Sequence, residues 1–375
     1  MKILTISPTY ELGRVSGVFT VIKNICEILV KRGHICKVLA INRENSNDVD
    51  DVINGVTVKR IGSPGSKYLY GLSPEMYRYI KNSLSAWIRQ DDIDIIHVHM
   101  YHNMLSLQSV YQLKNYGKPV IFTPHYHAQG HNRLTSLLLN LYHPVGKQIF
   151  KHVHKVVGVS EYEAVLIRNA FSTAEGKIKV IPHGISISDI QPRKKKASAS
   201  PHINLLFVGR MEEHKGVQHI LRAMQRLKNS YRMQPVLDIV GEGRYKEHVV
   251  ELARDLGLEH DVIWNKFLTD EELQKKYRNT DIFLLPSQFE AYGLVVAEAL
   301  ASGIPSIVCD TSALTEFITE AGCFGIKYPP EPEEFARMIV DIHKSDVQVG
   351  PFNPAKIRTW EKAVDEYEQL YQQFS

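Results

Sequence analysis

The sequence predicts an α/β protein built from two doubly wound domains, and three observations carry that expectation. Short apolar runs recur as strands: KILTIS, ICKVLAI and DIDIIHVH in the first half, NLLFVGR, VLDIVGEG and IFLL in the second. Runs of this length, bounded by turn residues, suit strands buried on both faces of a parallel sheet. Longer stretches with apolar residues three and four apart separate them, which gives strand–helix–strand units. The pattern then restarts after Ile190 to His202, IQPRKKKASASPH, a basic, small-residue, proline-flanked stretch that reads as a linker. Ligands of open α/β sheets bind beyond the carboxyl ends of the strands, so two such sheets imply a cleft between them.

Taken in order, Lys2 to Ser7 is the first strand, and a loop with Gly13 and Gly17 follows. A helix from about Val18 to Arg32 ends at Gly33, a residue type suited to the left-handed position after a helix. Ile35 to Ile41 is the next strand. The glycines form no GxGxxG fingerprint and no acid ends this strand, which argues against a nicotinamide dinucleotide site. A strand near Val56 to Ile61 and a helix near Pro74 to Arg89 lead into DIDIIHVH, where His97 and His99 share one face. PVIFTPHYH is a strand running into a loop with His125 and His127. With His102 and His131, these histidines raise the question of a metal. There is no helical His-x-x-x-His pair and no nearby carboxylate cluster, so no metal is expected, and active-site or satisfied core roles remain. Arg133 to His152 mixes Leu, Tyr and Phe with basic residues. It reads either as helices packed on the sheet and broken at Pro144, or as a surface that rests on an anionic membrane or lines an acceptor groove. Strands at Lys155 to Ser160 and Lys179 to Ile181 close this half.

The second half opens with NLLFVGR, a strand delivering Gly209 and Arg210 at its end; Lys215 and Gly216 start the following helix. VLDIVGEG supplies the Gly241–Gly243 turn. Helix 246–256, strand 262–264 and helix 270–279 lead to PSQFEAYGLVVAEALASGIP, between the strands IFLL and SIVC. A helix starting near Gly293 carries Glu298 among Val295, Val296, Ala297, Ala299, Leu300 and Ala301. A carboxylate in such surroundings costs several kcal/mol unless something satisfies it. It is either one half of a buried pair with Lys or Arg, or an acceptor for ligand hydroxyls. The amides opened by Ala291, Tyr292 and Gly293 at the helix start suit an anion. Arg210 and Lys215 beside them suit a diphosphate. The last helix, Arg358 to Phe374, shows an apolar stripe of Trp360, Val364, Tyr367, Leu370 and Tyr371 that needs a partner surface.

Composition excludes little else. A chain of 375 residues with 44% hydrophobic and 23% charged residues is ordinary for two globular domains. A net charge of +4 is mild; it does not demand nucleic acid and is compatible with anionic substrates or membrane surfaces. Four cysteines without a Cys-x-x-Cys pair read as core residues of a reducing compartment. The opening MKILTIS is a strand rather than a signal peptide, and no apolar run approaches the ~20 residues of a membrane span. The expected location is the cytoplasm, with membrane association on its cytoplasmic face as an option.

VGR…KG at Val208 to Gly216, VGEG at Val240 to Gly243, and Glu290 and Glu298 within PSQFEAYGLVVAEALASGIP resemble the retaining glycosyltransferases of family four, with the GT-B fold. HVH at 97–99, TPH at Thr123 to His125 and IPHG at Ile181 to Gly184 fit the same family, and the resemblance spans essentially the whole chain. It implies an acceptor-binding domain over 1–187, joined by a crossover helix at 357–375, and a nucleotide-sugar donor domain over 188–356. Arg210 and Lys215 would hold the donor diphosphate, Glu298 the ribose hydroxyls and Glu290 the donor-sugar hydroxyls. Ala291 to Leu294, including Tyr292 and Gly293, would offer backbone amides, and His125 would sit at the sugar. Gly209, the Gly241–Gly243 turn, Lys266 and Phe267 would border the nucleotide, with Gly17 in the first-domain phosphate loop. His125, Arg210, Lys215 and Glu290 would be the catalytic set. No cofactor beyond the nucleoside diphosphate sugar co-substrate is implied. The partners implied are that donor and a glycan or lipid-linked acceptor. The sequence departs from the family pattern at the first loop (Val-Ser-Gly-Val, Val15 to Val18), at Lys266 and at His183. The competing readings are a nucleotide-sugar epimerase of similar shape, a phosphorylase relative, whose cofactor-anchoring lysine has no convincing signature here, and a non-catalytic binding subunit.

Overall fold

The computed structural model describes residues 1–10, 17–42, 47–62, 74–127, 143–144, 146–172, 176–186 and 200–374. Gly13, His131, most of 133–152 and the expected linker over 190–199 lie outside the described residues. The chain divides into two compact units, Met1–His183 with Trp360–Ser375, and Gly184–Thr359.

Among the described residues, the first unit has an eight-stranded sheet in the order β3-β4-β2-β1-β5-β6-β7-β8. The strands are β1 (Lys2–Ile6), β2 (Ile35–Asn42), β3 (Val49–Ile53), β4 (Val56–Gly62), β5 (Ile95–His99), β6 (Val120–Thr123), β7 (Lys155–Gly158) and β8 (Ile178–Val180). Every pairing is parallel except β3 with β4. Its helices include α1 (Gly17–Lys31), α2 (Pro74–Gln90), α3 (Met104–Leu113) and α4 (Glu161–Ala170), and residues 146–152 are helical as well. Continuous apolar runs form these strands because helices cover both faces; all five residues of β5 are buried, His97 and His99 included. Two features differ from expectation. Gly17 is the first helical residue rather than part of a loop. The strand at 56–61 has an antiparallel partner, β3, joined through Asn54-Gly55, both at positive φ (49° and 82°), as a two-residue hairpin turn requires.

The second unit holds a six-stranded, all-parallel sheet in the order β11-β10-β9-β12-β13-β14. Its strands are β9 (His202–Val208), β10 (Gln234–Val240), β11 (Val262–Asn265), β12 (Ile282–Leu285), β13 (Ser306–Cys309) and β14 (Cys323–Ile326). Its helices are α5 (Val217–Tyr231), α6 (Lys246–Asp255), α7 (Asp270–Arg278), α8 (Leu294–Ala301) and α9 (Pro332–Lys344). The chain moves outward from β9 to β10 and β11, then returns to lay β12 on the other side of β9. The order therefore reverses between β9 and β12, which is where open α/β sheets leave a crevice for ligands.

The C-terminal helix, α10 (Trp360–Gln372), belongs to the first unit and buries Trp360, Ala363, Val364, Tyr367, Leu370 and Tyr371 there. Its apolar stripe thus has its partner surface. Arg32, just past α1, pairs with Asp365 at 2.7 Å and Glu368 at 2.8 Å, and His34 meets Glu368 at 2.8 Å. All four cysteines are free and buried. Among the described residues no helix is long and apolar enough to cross a membrane.

Candidate functional site

The parallel register brings the carboxyl ends of β11, β10, β9 and β12 to one rim of the second sheet, and most of the sequence-expected site residues follow those ends. Lys266 and Phe267 leave β11, with the Lys266 ammonium 5.6 Å from the Phe267 ring centre and that ring half-exposed. Gly241 and Gly243 leave β10, and Gly209 and Arg210 leave β9. These turns lie against one another backbone to backbone. Gly209 N–H donates to the Val240 carbonyl, Met211 N–H to that of Glu242, and Gly241 N–H to that of Asn265. A Cβ on Gly241 would fall 2.0 Å from the Gly209 oxygen, and one on Gly243 2.0 Å from the Met211 oxygen. No other residue fits so close an approach, which supplies a physical reason for the glycines of VGEG.

After β9 a single 3-10 turn, Glu213–Lys215, precedes α5 and packs on the chain leaving β12. Gln288 N–H and the Ser287 hydroxyl both donate to the His214 carbonyl, and the His214 and Phe289 rings stack at 4.4 Å. This brings Lys215 Nζ to 2.5 Å from Glu290 Oε1, with the two side chains only 14% and 15% exposed. The two residues assigned to separate donor groups are therefore a nearly buried ion pair. Glu290 is fixed from the other side as well: its N–H donates to Ser312 Oγ, and its carbonyl accepts from Ala313 N–H. Ser312 was not foreseen; it holds a positive φ of 59° just after β13. Arg210 is looser, 57% exposed, with Glu212 at 3.9 Å.

Gly293, at φ +109°, caps α8 and turns the chain between Leu314 and Phe317. Tyr292 packs inward, edge-on to Phe317, and its hydroxyl donates to the Lys356 carbonyl at 2.6 Å. Ala291 and Leu294 flank this start of the helix. Glu298 lies one turn further and is half-buried. Its partner is neither Lys nor Arg: the Tyr277 hydroxyl, from α7, donates to Glu298 Oε2 at 3.0 Å. Burial pushes the Glu298 carboxyl up to about 7, against the Tyr277 hydrogen bond and with a small further push from Asp270.

His125 and Gly17 belong to the first unit. His125 follows β6 at a positive φ of 47°. Its Nε2 lies 3.5 Å from His99 Nδ1, and its ring centre 5.7 Å from that of His183. His97 in turn is bonded by Thr123 Oγ1 at 2.8 Å and by the Tyr371 hydroxyl of α10 at 2.7 Å. Burial holds these rings neutral, His97 down to about 3 and His125 to about 4, with His99 also well below its ordinary range. The histidines of TPH, HVH and IPHG thus form one group, in which His97, His99 and His183 are buried and His125 is half-buried, though His97 is a satisfied core residue. Among the described residues, no three His, Cys, Asp or Glu side chains are grouped to hold a metal ion. Sequence reasoning also passed over Glu163. It is fully buried and accepts from Val159 N–H at 2.6 Å and from Tyr126 N–H, so it braces the loop next to His125.

Residues 189–349 match the family model of glycosyl transferases group 1, and residues 15–189 match that of glycosyltransferase family 4. An uncharacterized glycosyltransferase of Methanocaldococcus jannaschii is 26% identical over 353 residues, covering 90% of this chain and 87% of its own. A D-inositol 3-phosphate glycosyltransferase of Nocardiopsis dassonvillei is 24% identical, covering 96% of this chain and 90% of its own. Among solved structures, sucrose-phosphate synthase from Thermosynechococcus elongatus aligns with a TM-score of 0.79 at 18% identity, covering 99% of this chain and 98% of that one. An Anabaena protein solved with UDP and glucose aligns at 0.72 and 17% identity over the whole of both chains.

Proposed function

The chain belongs to the group 1, family 4 glycosyltransferases and has their GT-B fold, and from that premise we propose that it moves a hexose from a nucleoside diphosphate sugar to a glycan or lipid-linked acceptor. In this reading the anomeric configuration is retained, no metal takes part, and the hexose is mannose, glucose or a relative. The observation that carries it is the convergence at the β9/β12 reversal: the Lys215–Glu290 pair, Arg210 and the start of α8, with Glu298 one turn on.

Arg210 and Lys215 are assigned to the diphosphate. Negative charge grows on the leaving phosphate as its bond to the anomeric carbon breaks, and losing one such contact costs about 10²–10³ in rate. Glu290 is assigned to the donor-sugar hydroxyls; its pairing with Lys215 fixes both groups before the donor arrives. Glu298 accepts from the ribose hydroxyls, Ala291 to Leu294 offer amides, and the Gly241–Gly243 turn, Lys266 and Phe267 border the base. His125, held neutral, is assigned to the sugar as a hydrogen-bonding group. The acceptor hydroxyl attacks the anomeric carbon on the face the phosphate leaves, and the departing phosphate oxygen takes its proton. A glycosyl–enzyme adduct trapped in single turnover would overturn that route. We place the enzyme in the cytoplasm; within the stretch at 133–152, Ile149 and Phe150 are buried in the core of the first unit, which favours packing on the sheet over a membrane-facing surface.

The test is a thermal-shift panel in EDTA with GDP, UDP, ADP and their common sugar conjugates, on wild type and Glu298→Ala. A ligand at 100 times its Kd adds about 2.7 kcal/mol, which is easily seen. One nucleotide should stabilise the wild type and lose that effect in the variant. A folded protein that responds to none of them would favour a non-catalytic binding subunit.

A further inference from the structure

We propose that Tyr277 is a positioning residue for donor recognition: its hydroxyl fixes the Glu298 carboxylate where the ribose hydroxyls of a nucleoside diphosphate are bound. The inference rests on the donor-site reading above and adds to it a residue outside the glycosyltransferase motifs quoted from the sequence.

The Tyr277 hydroxyl is held rigidly. Helix α7 opens with a capping box in which Thr269 and Glu272 satisfy each other's backbone N–H groups. One residue before Tyr277, Lys276 is ion-paired with Asp238 of β10, and Asp238 Oδ1 also accepts from Asn265 Nδ2 of β11 at 3.2 Å. The helix is thus fastened to β10 through Asp238, which β11 in turn holds in place. The Tyr277 ring is wholly buried and lies against Phe283 of β12. A phenol ring so enclosed sets its oxygen to within the play of one torsion.

That oxygen then meets the carboxylate that needs it. Around Glu298 the helix turns Val296, Ala297, Ala299 and Leu300 into the core and offers no polar neighbour of its own. Tyr277 supplies the donor to Oε2 at 3.0 Å, and among the described residues no hydrogen bond is made to Oε1. Glu298 is half-buried, so Oε1 stays within reach of a ligand. One oxygen anchored and one offered is the arrangement a vicinal diol can use. A phenol suits the anchoring role better than lysine. It orients the carboxylate without cancelling its charge, so the free oxygen remains a strong acceptor. Burial pushes the Tyr277 phenol well above its ordinary range, so it stays a donor throughout the working pH range.

The charged and titratable groups facing Glu298 are Tyr277 and Asp270 of α7, with Tyr292 before α8. Burial and Asp270 raise the Glu298 pKa, and Tyr277 opposes them. Because the diol needs the ionised form, nucleotide affinity should climb with pH up to about 7 and level off. Removing the hydroxyl should move that midpoint upward.

The test compares wild type, Tyr277→Phe, Glu298→Ala and the double variant by calorimetric titration. The probes are whichever of GDP, UDP and ADP binds the wild type, and its 2′,3′-dideoxy counterpart. Tyr277→Phe keeps the buried ring, and its melting curve confirms folding. We expect it to weaken the ribose nucleotide at least about tenfold, the lower end for a hydrogen bond to a charged group. The dideoxy nucleotide should be unaffected, the affinity midpoint should move up in pH, and Tyr277→Phe should do nothing further in the Glu298→Ala background. Equal loss on both nucleotides would overturn the proposal in favour of a structural role. Retained ribose preference in Tyr277→Phe would overturn it while leaving the donor-site reading intact. A wild type indifferent to the ribose hydroxyls would overturn both.

Discussion

Gly241→Ala probes the backbone stacking at the rim of the second sheet. Gly241 has a φ of +143°, and a methyl added there would stand 2.0 Å from the Gly209 carbonyl oxygen. Real Cβ atoms do not approach within 3.0 Å of such an atom, so the turns must part by roughly 1 Å. Neither side gives easily: Gly209 is tied to Val240, Met211 to Glu242, and Gly241 itself to Asn265. Holding alanine at this φ costs about 1–3 kcal/mol, and forcing backbone apart in a packed region adds about 1–3 kcal/mol. A sum near 4 kcal/mol in a unit of roughly 150–250 residues lowers its melting temperature by about 8–16 °C. Gly257→Ala is the control. Its φ is also positive, +67°, but nothing lies within 4 Å of the added methyl, so only strain of about 1–2 kcal/mol applies. Scanning calorimetry of both variants decides the matter. If Gly241→Ala melts within about 2 °C of Gly257→Ala, the close approach is not what fixes this glycine, and the account of the rim is wrong.

Two further outcomes follow from buried charge. In the first unit His97 and His125 have folded pKa values near 3 and 4, below the ordinary histidine value of 6.5, so the unfolded chain binds more protons between those limits. Their contribution is complete above 6.5 and is lost as pH falls, at up to about 1.4 kcal/mol per pH unit for each ring. Glu163, raised to about 7, acts in the opposite sense between pH 4.5 and 7. His97→Gln should flatten the acid limb in urea titrations and Glu163→Gln should steepen it; unchanged slopes in both would refute the assignment. In the second unit, Lys215→Met strands a nearly buried Glu290 carboxylate and should cost about 2–4 kcal/mol, less than a fully buried pair because water reaches part of it. Lys215→Met with Glu290→Leu should restore most of that, and strict additivity in the double-mutant cycle would refute the coupling.

The sheet strands and the rim were largely legible because they rest on local signals. IFLL and SIVC are strands over the residues their composition marks, and glycines stand where two backbones touch. The weak points are those decided by partners distant in sequence. Glu298 announced itself by its apolar neighbours, yet nothing local says that its partner is a tyrosine 21 residues earlier on a helix reading DEELQKKYR. Lys215 and Glu290 were each identified, but their pairing needs β9 and β12 side by side, which is a fact of sheet order. Glu163 was missed because Ser160-x-x-Glu163 has the spacing of an ordinary helix cap; its carboxylate instead turns inward to the backbone beside His125. Strand β14 was missed as well: CFGI is short, with glycine where a branched residue would mark it.

The return of the last helix to the first unit bears on how the chain is made. Synthesis runs from the N-terminus at about 5–20 residues per second, and residues 184–359 emerge between the two parts of one folding unit. The second unit therefore has all its residues off the ribosome before the first does. Until α10 arrives, the buried side of α1 lacks its cover, Arg32 lacks both carboxylates, and His97 waits for the Tyr371 hydroxyl. Of the two units, the one that starts to emerge first is completed second.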